Sequence, residues 1–279
     1  MANHEREFEY TPRDFMRVKD LLYRHAGIVL NDSKDSLVYS RLVRRLRALQ
    51  VSRFADYLDD LHPDSPEWQN FLNALTTNLT AFFRENHHFE VLAGLLKQHP
   101  IGQPFRIWCC AASTGEEPYS LAMTAVETLQ RHDPPVSIIA TDIDTQVLQT
   151  ARAGVYAQDR VRDLSLTQLR QFFLKGTGKN EGKVQVKPYI KKLIQFQTLN
   201  LLAKDWSISG QFDAIFCRNV LIYFDKPTQK TVVERFAPHL KVDGHLFVGH
   251  SENLTPITRL FSPCGRTVYT LANSPVEKH

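Results

Sequence analysis

Two carboxylates, Glu116 and Glu117, stand within the stretch Ala111-Ala112-Ser113-Thr114-Gly115-Glu116-Glu117-Pro118-Tyr119-Ser120, which follows an apolar run and opens a helical one. Small residues at a strand-to-helix turn let the backbone bend sharply and come close to a ligand. With one glycine and two acids, a bound pyrophosphate would set anion against anion, so a ligand carrying an ammonium or hydroxyls fits better. The competing reading is a tight turn with solvated acids at a helix start. Further on, Thr141-Asp142-Ile143-Asp144 ends a second apolar run. An acid there can accept hydrogen bonds from two ribose hydroxyls, and it can equally cap a helix. Asp142 is assigned to the ribose and Asp144 to the cap. Turn and acid together read as a nucleoside site with no demand for phosphate. That points to S-adenosylmethionine more than to a nicotinamide dinucleotide, whose G-x-G-x-x-G turn is missing.

Two other stretches set polar groups among aromatic ones. Thr76-Thr77-Asn78-Leu79-Thr80-Ala81-Phe82-Phe83-Arg84-Glu85 carries Asn78, Thr80 and Arg84 beside two phenylalanines. It is either part of a pocket or a linker that its phenylalanines dock. Cys217-Arg218-Asn219-Val220-Leu221-Ile222-Tyr223-Phe224 ends another apolar run. Its polar residues open onto the same crevice, or it is a strand end with a buried tyrosine. Arg41, Arg44, Arg45 and Arg47 form a dense basic cluster with no acid between them. Arg41, Arg44 and Arg45 fall at i, i+3 and i+4, on one helix face, which is otherwise simply a solvated basic face.

Helices alone are expected over the first 80 residues. Phe15, Val18, Leu21 and Leu22 share a helical face that Gly27 stops. A second helix starts near Ser33, and Ser52 caps a third carrying Phe54, Tyr57, Leu58 and Leu61. Ser65-Pro66-Glu67 reads as cap, first-turn proline and first-turn acid of a fourth. From residue 105 short apolar runs (105–110, 136–140, 212–217, 245–249) alternate with helical segments near 117–131, 144–152 and 227–237. That alternation indicates parallel strands joined by right-handed crossovers, with helices on both faces of the sheet. Residues 153–211 do not fit one such unit. Leu166 to Phe173 suggests a helix, the glycines at 176, 178 and 182 mark turns, and 184–186 and 189–190 read as short antiparallel strands. They form a small β insertion before 193–198 returns to the main sheet.

The chain has 279 residues, 43% hydrophobic and 23% charged. That is ordinary for a globular protein of one large or two smaller domains and too apolar for a disordered one. No run approaches the ~18 apolar residues of a membrane span. The polar start, Met1 to Glu7, is not expected to be a signal peptide. Four cysteines, two of them adjacent in a buried strand, make no disulfide framework, and no spacing suggests zinc. A cytoplasmic, reduced, metal-free protein is expected. The net charge of +4 is too mild to argue for nucleic-acid binding.

Residues 75–85, 111–120, 141–144, 199–202, 212–224 and 249–253 closely resemble the chemotaxis receptor methyltransferases (CheR), and the similarity runs from about residue 8 to 272. The resemblance implies an α/β, Rossmann-like S-adenosylmethionine-dependent methyltransferase domain with a small antiparallel β subdomain, preceded by an all-α N-terminal domain. The corresponding boundaries are 1–77 for the helical domain, 78–92 for a linker contributing to the cofactor pocket, and 93–279 for the catalytic domain, with the β insertion at about 160–192. The implied activity is methyl transfer from S-adenosylmethionine to glutamate side chains of chemoreceptor cytoplasmic domains, leaving S-adenosylhomocysteine. By the same resemblance Asn78, Thr80, Arg84, Glu117, Asp142, Asn200, Leu201, Arg218 and Asn219 would line the cofactor pocket. Arg84 and Tyr223 would serve catalysis. Arg41, Arg44 and Arg45 would steer a receptor helical bundle. Gly176 and Gly178 belong to an insertion like those that dock on a receptor C-terminal peptide.

Three rivals stay open at this stage. A methyltransferase for small molecules or nucleic acids could share the fold, though the Asn-Pro-Pro-Tyr type motif of base-modifying enzymes is replaced here by Cys217-Arg218-Asn219-Val220. A non-catalytic receptor-binding module is disfavoured by intact Arg84, Glu117, Asp142 and Tyr223. A nicotinamide-dependent oxidoreductase lacks its glycine fingerprint.

Overall fold

A computed structural model describes residues 6–272 of the chain; the polar start, read as lacking a leader, lies largely outside them. Two compact units are present. One takes the chain up to Thr77 together with Tyr223–Thr228, and the other takes Asn78–Ile222 and the chain from Gln229 on.

The first unit carries α1 (Pro12–Ala26), α2 (Asp35–Leu49), α3 (Phe54–Asp59) and α4 (Trp68–Leu75). Thr11 and Asp14 form a capping box at the start of α1: Asp14 donates its N–H to the Thr11 hydroxyl, and the Thr11 N–H binds the Asp14 carboxylate. Gly27 ends the helix at φ 68°, as its sequence position predicts. Two predicted starts shift. Arg53 rather than Ser52 occupies the cap position of α3. Ser65 caps nothing; its hydroxyl bonds the His62 carbonyl in a turn, and α4 begins only at Trp68. A serine can close a local turn as readily as a helix.

The second unit starts with α5 (His87–Gln98), β1 (Phe105–Cys109), α6 (Glu116–Leu129), β2 (Val136–Asp142), α7 (Thr145–Ala153) and β3 (Val155–Ala157). It continues with α8 (Leu166–Phe172), β4 (Phe173–Lys175), β5 (Lys183–Val186), α9 (Pro188–Lys191), β6 (Ile194–Thr198) and β7 (Phe212–Cys217). After α10 (Lys226–Phe236) come β8 (Leu240–Val248), β9 (Phe261–Gly265) and β10 (Val268–Leu271). The main sheet has the order β6-β2-β1-β7-β8-β10-β9. Its first five strands are parallel, and β10 and β9 add antiparallel at one edge. β1 has β2 on one side and β7 on the other, so the chain reverses its winding direction beside β1. Such a reversal opens a crevice at the carboxyl ends of the strands. The core is apolar on both sheet faces: Trp108, Tyr119, Phe212, Phe216 and Phe247 are fully buried, and the Phe216 and Phe247 rings stack at 4.2 Å.

β3, β5 and β4 form a separate antiparallel sheet in that order. It begins at Val155, inside the stretch from 153 that does not fit one strand–helix unit and a few residues ahead of the insertion boundary at about 160. The expected strand at Tyr189-Ile190 is instead a one-turn helix, α9, because Pro188 at its first position is preset for helical φ. Among the described residues no helix is long and apolar enough to cross a membrane.

Candidate active site

The turn after β1 is held from β2. Ser113 sits at φ 48° and Gly115 at φ 101°, and the Ser113 N–H donates to Asp142 Oδ2 at 2.8 Å. The Asp144 N–H donates to the other Asp142 oxygen at 2.9 Å. Asp144 is the cap of α7, its Oδ1 accepting the N–H groups of Gln146 and Val147. Asp142 therefore ends β2 as a buried carboxylate whose two oxygens keep further lone pairs. Burial pushes its pKa up to about 6 against the pull of the two N–H donors. Gly115 has a packing reason as well as a conformational one, since a Cβ there would run into the Tyr156 hydroxyl and Ala151.

Glu116 and Glu117 have separate fates, and neither is a solvated acid. Glu116 is fully buried and paired with Arg160, whose guanidinium also donates to the Thr80 carbonyl at 3.0 Å. Glu117 is paired with Arg218, Nη1 to Oε2 at 2.9 Å, and accepts from the Cys109 thiol at 3.3 Å. Burial pushes the Glu117 carboxyl up, and Arg218 opposes the shift.

Arg218 leaves the carboxyl end of β7 with a fully buried side chain. Its Nη2 donates to the Arg84 carbonyl at 2.5 Å and lies 3.3 Å from Glu85 Oε2. Its Nε finds no acceptor among the described residues. Asn219 follows at φ 57°, giving its N–H to Glu252 Oε2 at 2.9 Å and its side-chain amide to Glu85 Oε1 at 3.1 Å.

Arg84 is half-buried between two left-handed residues, Phe83 at φ 52° and Glu85 at φ 59°, and its Nη1 donates to the Leu79 carbonyl at 2.9 Å. Asn78 donates to Asp144 Oδ2 at 2.8 Å, and its carbonyl accepts the Ser113 hydroxyl at 2.9 Å. Asn200 and Leu201 follow β6; Leu201 is buried, and Asn200 Oδ1 accepts the Leu202 N–H at 2.9 Å.

Nine expected cofactor residues thus belong to one unit. β2, β6 and β7 carry Asp142, Asn200, Leu201, Arg218 and Asn219 at or just beyond their carboxyl ends, α6 carries Glu117 in its first turn, and the segment ahead of α5 carries Asn78, Thr80 and Arg84. The donor set suits S-adenosylmethionine. Asp142 can still accept ribose hydroxyls, Glu117 offers an anion to an ammonium, and the unused Arg218 Nε offers a buried donor to a carboxylate. Among the described residues no group of three or more His, Cys, Asp or Glu is placed to hold a metal.

The other expected residues are Tyr223, three arginines of α2 and two glycines. Tyr223 belongs to the unit of the N-terminal helices, its carbonyl accepting the Val29 N–H at 2.8 Å. On α2 the expected free basic face is reduced. Arg41 donates to the Leu75 and Thr76 carbonyls, and Arg45 grips Glu67 with two bonds of 2.6 and 2.7 Å. Arg44 is exposed. Gly176 and Gly178 shape the β4–β5 hairpin, where a Cβ at Gly176 would run into the Asn180 carbonyl. The roles of Glu85 and Glu252 escaped the sequence reading, although both lie inside stretches that carry the family resemblance.

Residues 78–270 match the family described as CheR methyltransferase, SAM binding domain, and residues 13–76 match the CheR methyltransferase, all-alpha domain. The chain is 53% identical over 270 residues to chemotaxis protein methyltransferase 2 of Pseudomonas aeruginosa, covering 95% of each chain. It is 50% identical to the chemotaxis protein methyltransferase of Escherichia coli, covering 92% of this chain and 90% of that one. It is 51% identical to the chemotaxis protein methyltransferase of Salmonella typhimurium, with the same shares covered.

Proposed function

The chain belongs to the CheR methyltransferase family, and from that premise we propose that it methylates glutamate γ-carboxylates of chemoreceptor cytoplasmic domains, leaving glutamate methyl esters and S-adenosylhomocysteine. The observation that carries this reading is the gathering of Asp142, Arg218 and Asn219 at strand ends, with Glu117 in the first turn of α6, beside the reversal in winding.

A γ-carboxylate with an ordinary pKa near ~4.3 is ionised at neutral pH and needs no general base. When bound, S-adenosylmethionine supplies a methyl group on a sulfonium. Asp142 would hold the ribose, Glu117 would face the methionine end or its ammonium, Asn78, Thr80, Arg218 and Asn219 would complete the pocket, and Asn200 and Leu201 would flank the adenine. Arg84 orients the incoming carboxylate, partially rather than tightly, because a tight pair would stabilise the ground state. Tyr223 donates a hydrogen bond to the non-attacking carboxylate oxygen. Alignment to about 3–3.5 Å is the main demand of an in-line displacement. No metal takes part.

The partner is the helical bundle of a methyl-accepting receptor in the cytoplasm, steered by α2 through Arg44 with support from Arg41 and Arg45. The antiparallel sheet with its Gly176-Gly178 hairpin docks a receptor C-terminal peptide by adding a strand to an edge, which raises local substrate concentration. β3 and β4 are the edges of that sheet. Neither nucleic acid nor membrane insertion is involved. Incubation with methyl-labelled cofactor and receptor cytoplasmic fragments tests the reading. Label should enter the receptor and leave in mild alkali. An unlabelled receptor, or label stable to alkali, refutes the glutamate ester.

A further inference from the structure

The Glu85 carboxylate accepts from donors at both of its oxygens. Oε1 accepts the Asn219 side-chain amide at 3.1 Å; Oε2 accepts the His250 N–H at 3.0 Å and lies 3.3 Å from Arg218 Nη2. His88 stands next to it, Nδ1 3.8 Å from Oε2. Burial and the Arg218 charge push the His88 pKa down to about 3 and leave that ring neutral. Burial also raises Glu85, but the Asn219, His250 and Arg218 contacts outweigh it and hold the acid below its usual value.

These contacts form a closed circuit. Arg218 Nη2 donates to the Arg84 carbonyl at 2.5 Å, one residue before Glu85. Phe83 and Glu85, on either side of Arg84, are both left-handed, as is Asn219. Residues other than glycine hold that conformation only where their surroundings enforce it. One side chain thus ties the ends of β7 and β8 to the segment that carries Arg84. It also fixes the rotamers of two residues assigned to the cofactor.

We infer that Glu85 is a positioning residue: its carboxylate fixes the Asn219 amide and the Arg218 guanidinium, and through them the Arg84 segment, in the geometry that captures the cofactor. The inference rests on the cofactor reading proposed above. An acceptor-only group is required. An amide in its place keeps one oxygen and turns the other into a donor, which must face either Asn219 or the His250 and Arg218 donors.

Calorimetric binding of S-adenosylhomocysteine is the test, because it needs no receptor and no turnover. Glu85→Gln should weaken binding about tenfold, the scale of one charge-assisted hydrogen bond. Glu85→Asp keeps an acceptor-only carboxylate one methylene shorter and should bind within about threefold of the unsubstituted chain. A merely structural Glu85 would lower the melting temperature in both variants and leave the affinity of the folded protein unchanged. If Glu85→Gln fails to fold, Glu85→Asp decides alone. Parent-like binding by folded Glu85→Gln, or binding by Glu85→Asp more than about threefold weaker than the parent, overturns the inference. Absence of binding in the unsubstituted chain would instead refute the cofactor reading.

Discussion

Ser113 gives its backbone N–H to Asp142 at 2.8 Å, and this one bond joins the turn after β1 to the end of β2. Strand pairing sets the two elements side by side, with Cys109 opposite Ala140. It does not set the shape of the turn. The carboxylate does, by holding Ser113 at a left-handed φ that a non-glycine residue seldom adopts. The acid proposed for the ribose thus also builds the loop that borders the crevice, and on that proposal cofactor recognition and loop geometry share one ionisable group.

Affinity for S-adenosylhomocysteine should accordingly fall as pH drops through about 6, where Asp142 takes up a proton, and be flat above that. Stability runs the other way for this group. Its folded pKa is raised from 3.8 to about 6, so the folded state binds the proton first, and the Asp142 contribution becomes more favourable as pH falls between those values. Asp142→Asn should lower affinity at every pH and remove the inflection. Calorimetric titrations from pH 5 to 8 check this; an inflection that survives the substitution refutes the assignment.

Arg218 is the only cation within ion-pair distance of both Glu85 and Glu117 among the described residues, and its side chain is fully buried. Arg218→Ala leaves two largely buried acids unpaired. A loss of about 3–5 kcal/mol is expected, the usual cost of breaking a buried pair from one side. Urea unfolding measures it, and a loss below about 1 kcal/mol, the range of exposed pairs, contradicts the network.

The strands of the parallel sheet were legible because each is apolar on both faces, and the α1 termini because a threonine–aspartate box and a glycine have few other uses. β9 and β10 were not legible. Pro263, Cys264 and Gly265 break any alternation, and the pairing shifts register at Val268/Tyr269. In the site, Asp144 was legible as the cap of α7, because an aspartate just after a strand and ahead of a helical run has that use. The pairing of Arg45 with Glu67 was not, because 22 residues separate them and a basic face looks the same whether free or paired. Glu85 was hidden for the same reason: its partners lie 134 and 165 residues further along the chain.

The α2 arginines should separate on substitution. Arg45→Ala removes two charge-assisted bonds to Glu67, which the Tyr57 hydroxyl also contacts at 3.1 Å, and should cost the helical unit about 1.5–3 kcal/mol. Arg44→Ala should stay within about 0.5 kcal/mol in stability while slowing receptor methylation, most clearly at low salt. Urea melts and methylation rates across ionic strength make the comparison. Equal stability losses for the two, or a salt response that Arg44→Ala leaves unchanged, would contradict it.

The β4–β5 hairpin offers a separable test of docking. At Gly176 an added methyl would strike the Asn180 carbonyl and the Lys183 carbonyl, backbone atoms that cannot rotate away, while Gly176 itself donates its N–H to Lys183 at 2.9 Å. Gly176→Ala should therefore open the turn and misalign β4 against β5, costing about 1–3 kcal/mol as overpacking does. At Gly178 the added methyl meets nothing, but the left-handed φ of 56° makes the change unfavourable by a smaller amount. If the small sheet docks a receptor peptide, Gly176→Ala loses peptide binding and keeps its affinity for S-adenosylhomocysteine, because the crevice residues belong to the larger sheet. Paired titrations with peptide and co-product check this, and peptide binding that survives a demonstrably disrupted hairpin would place the docking surface elsewhere.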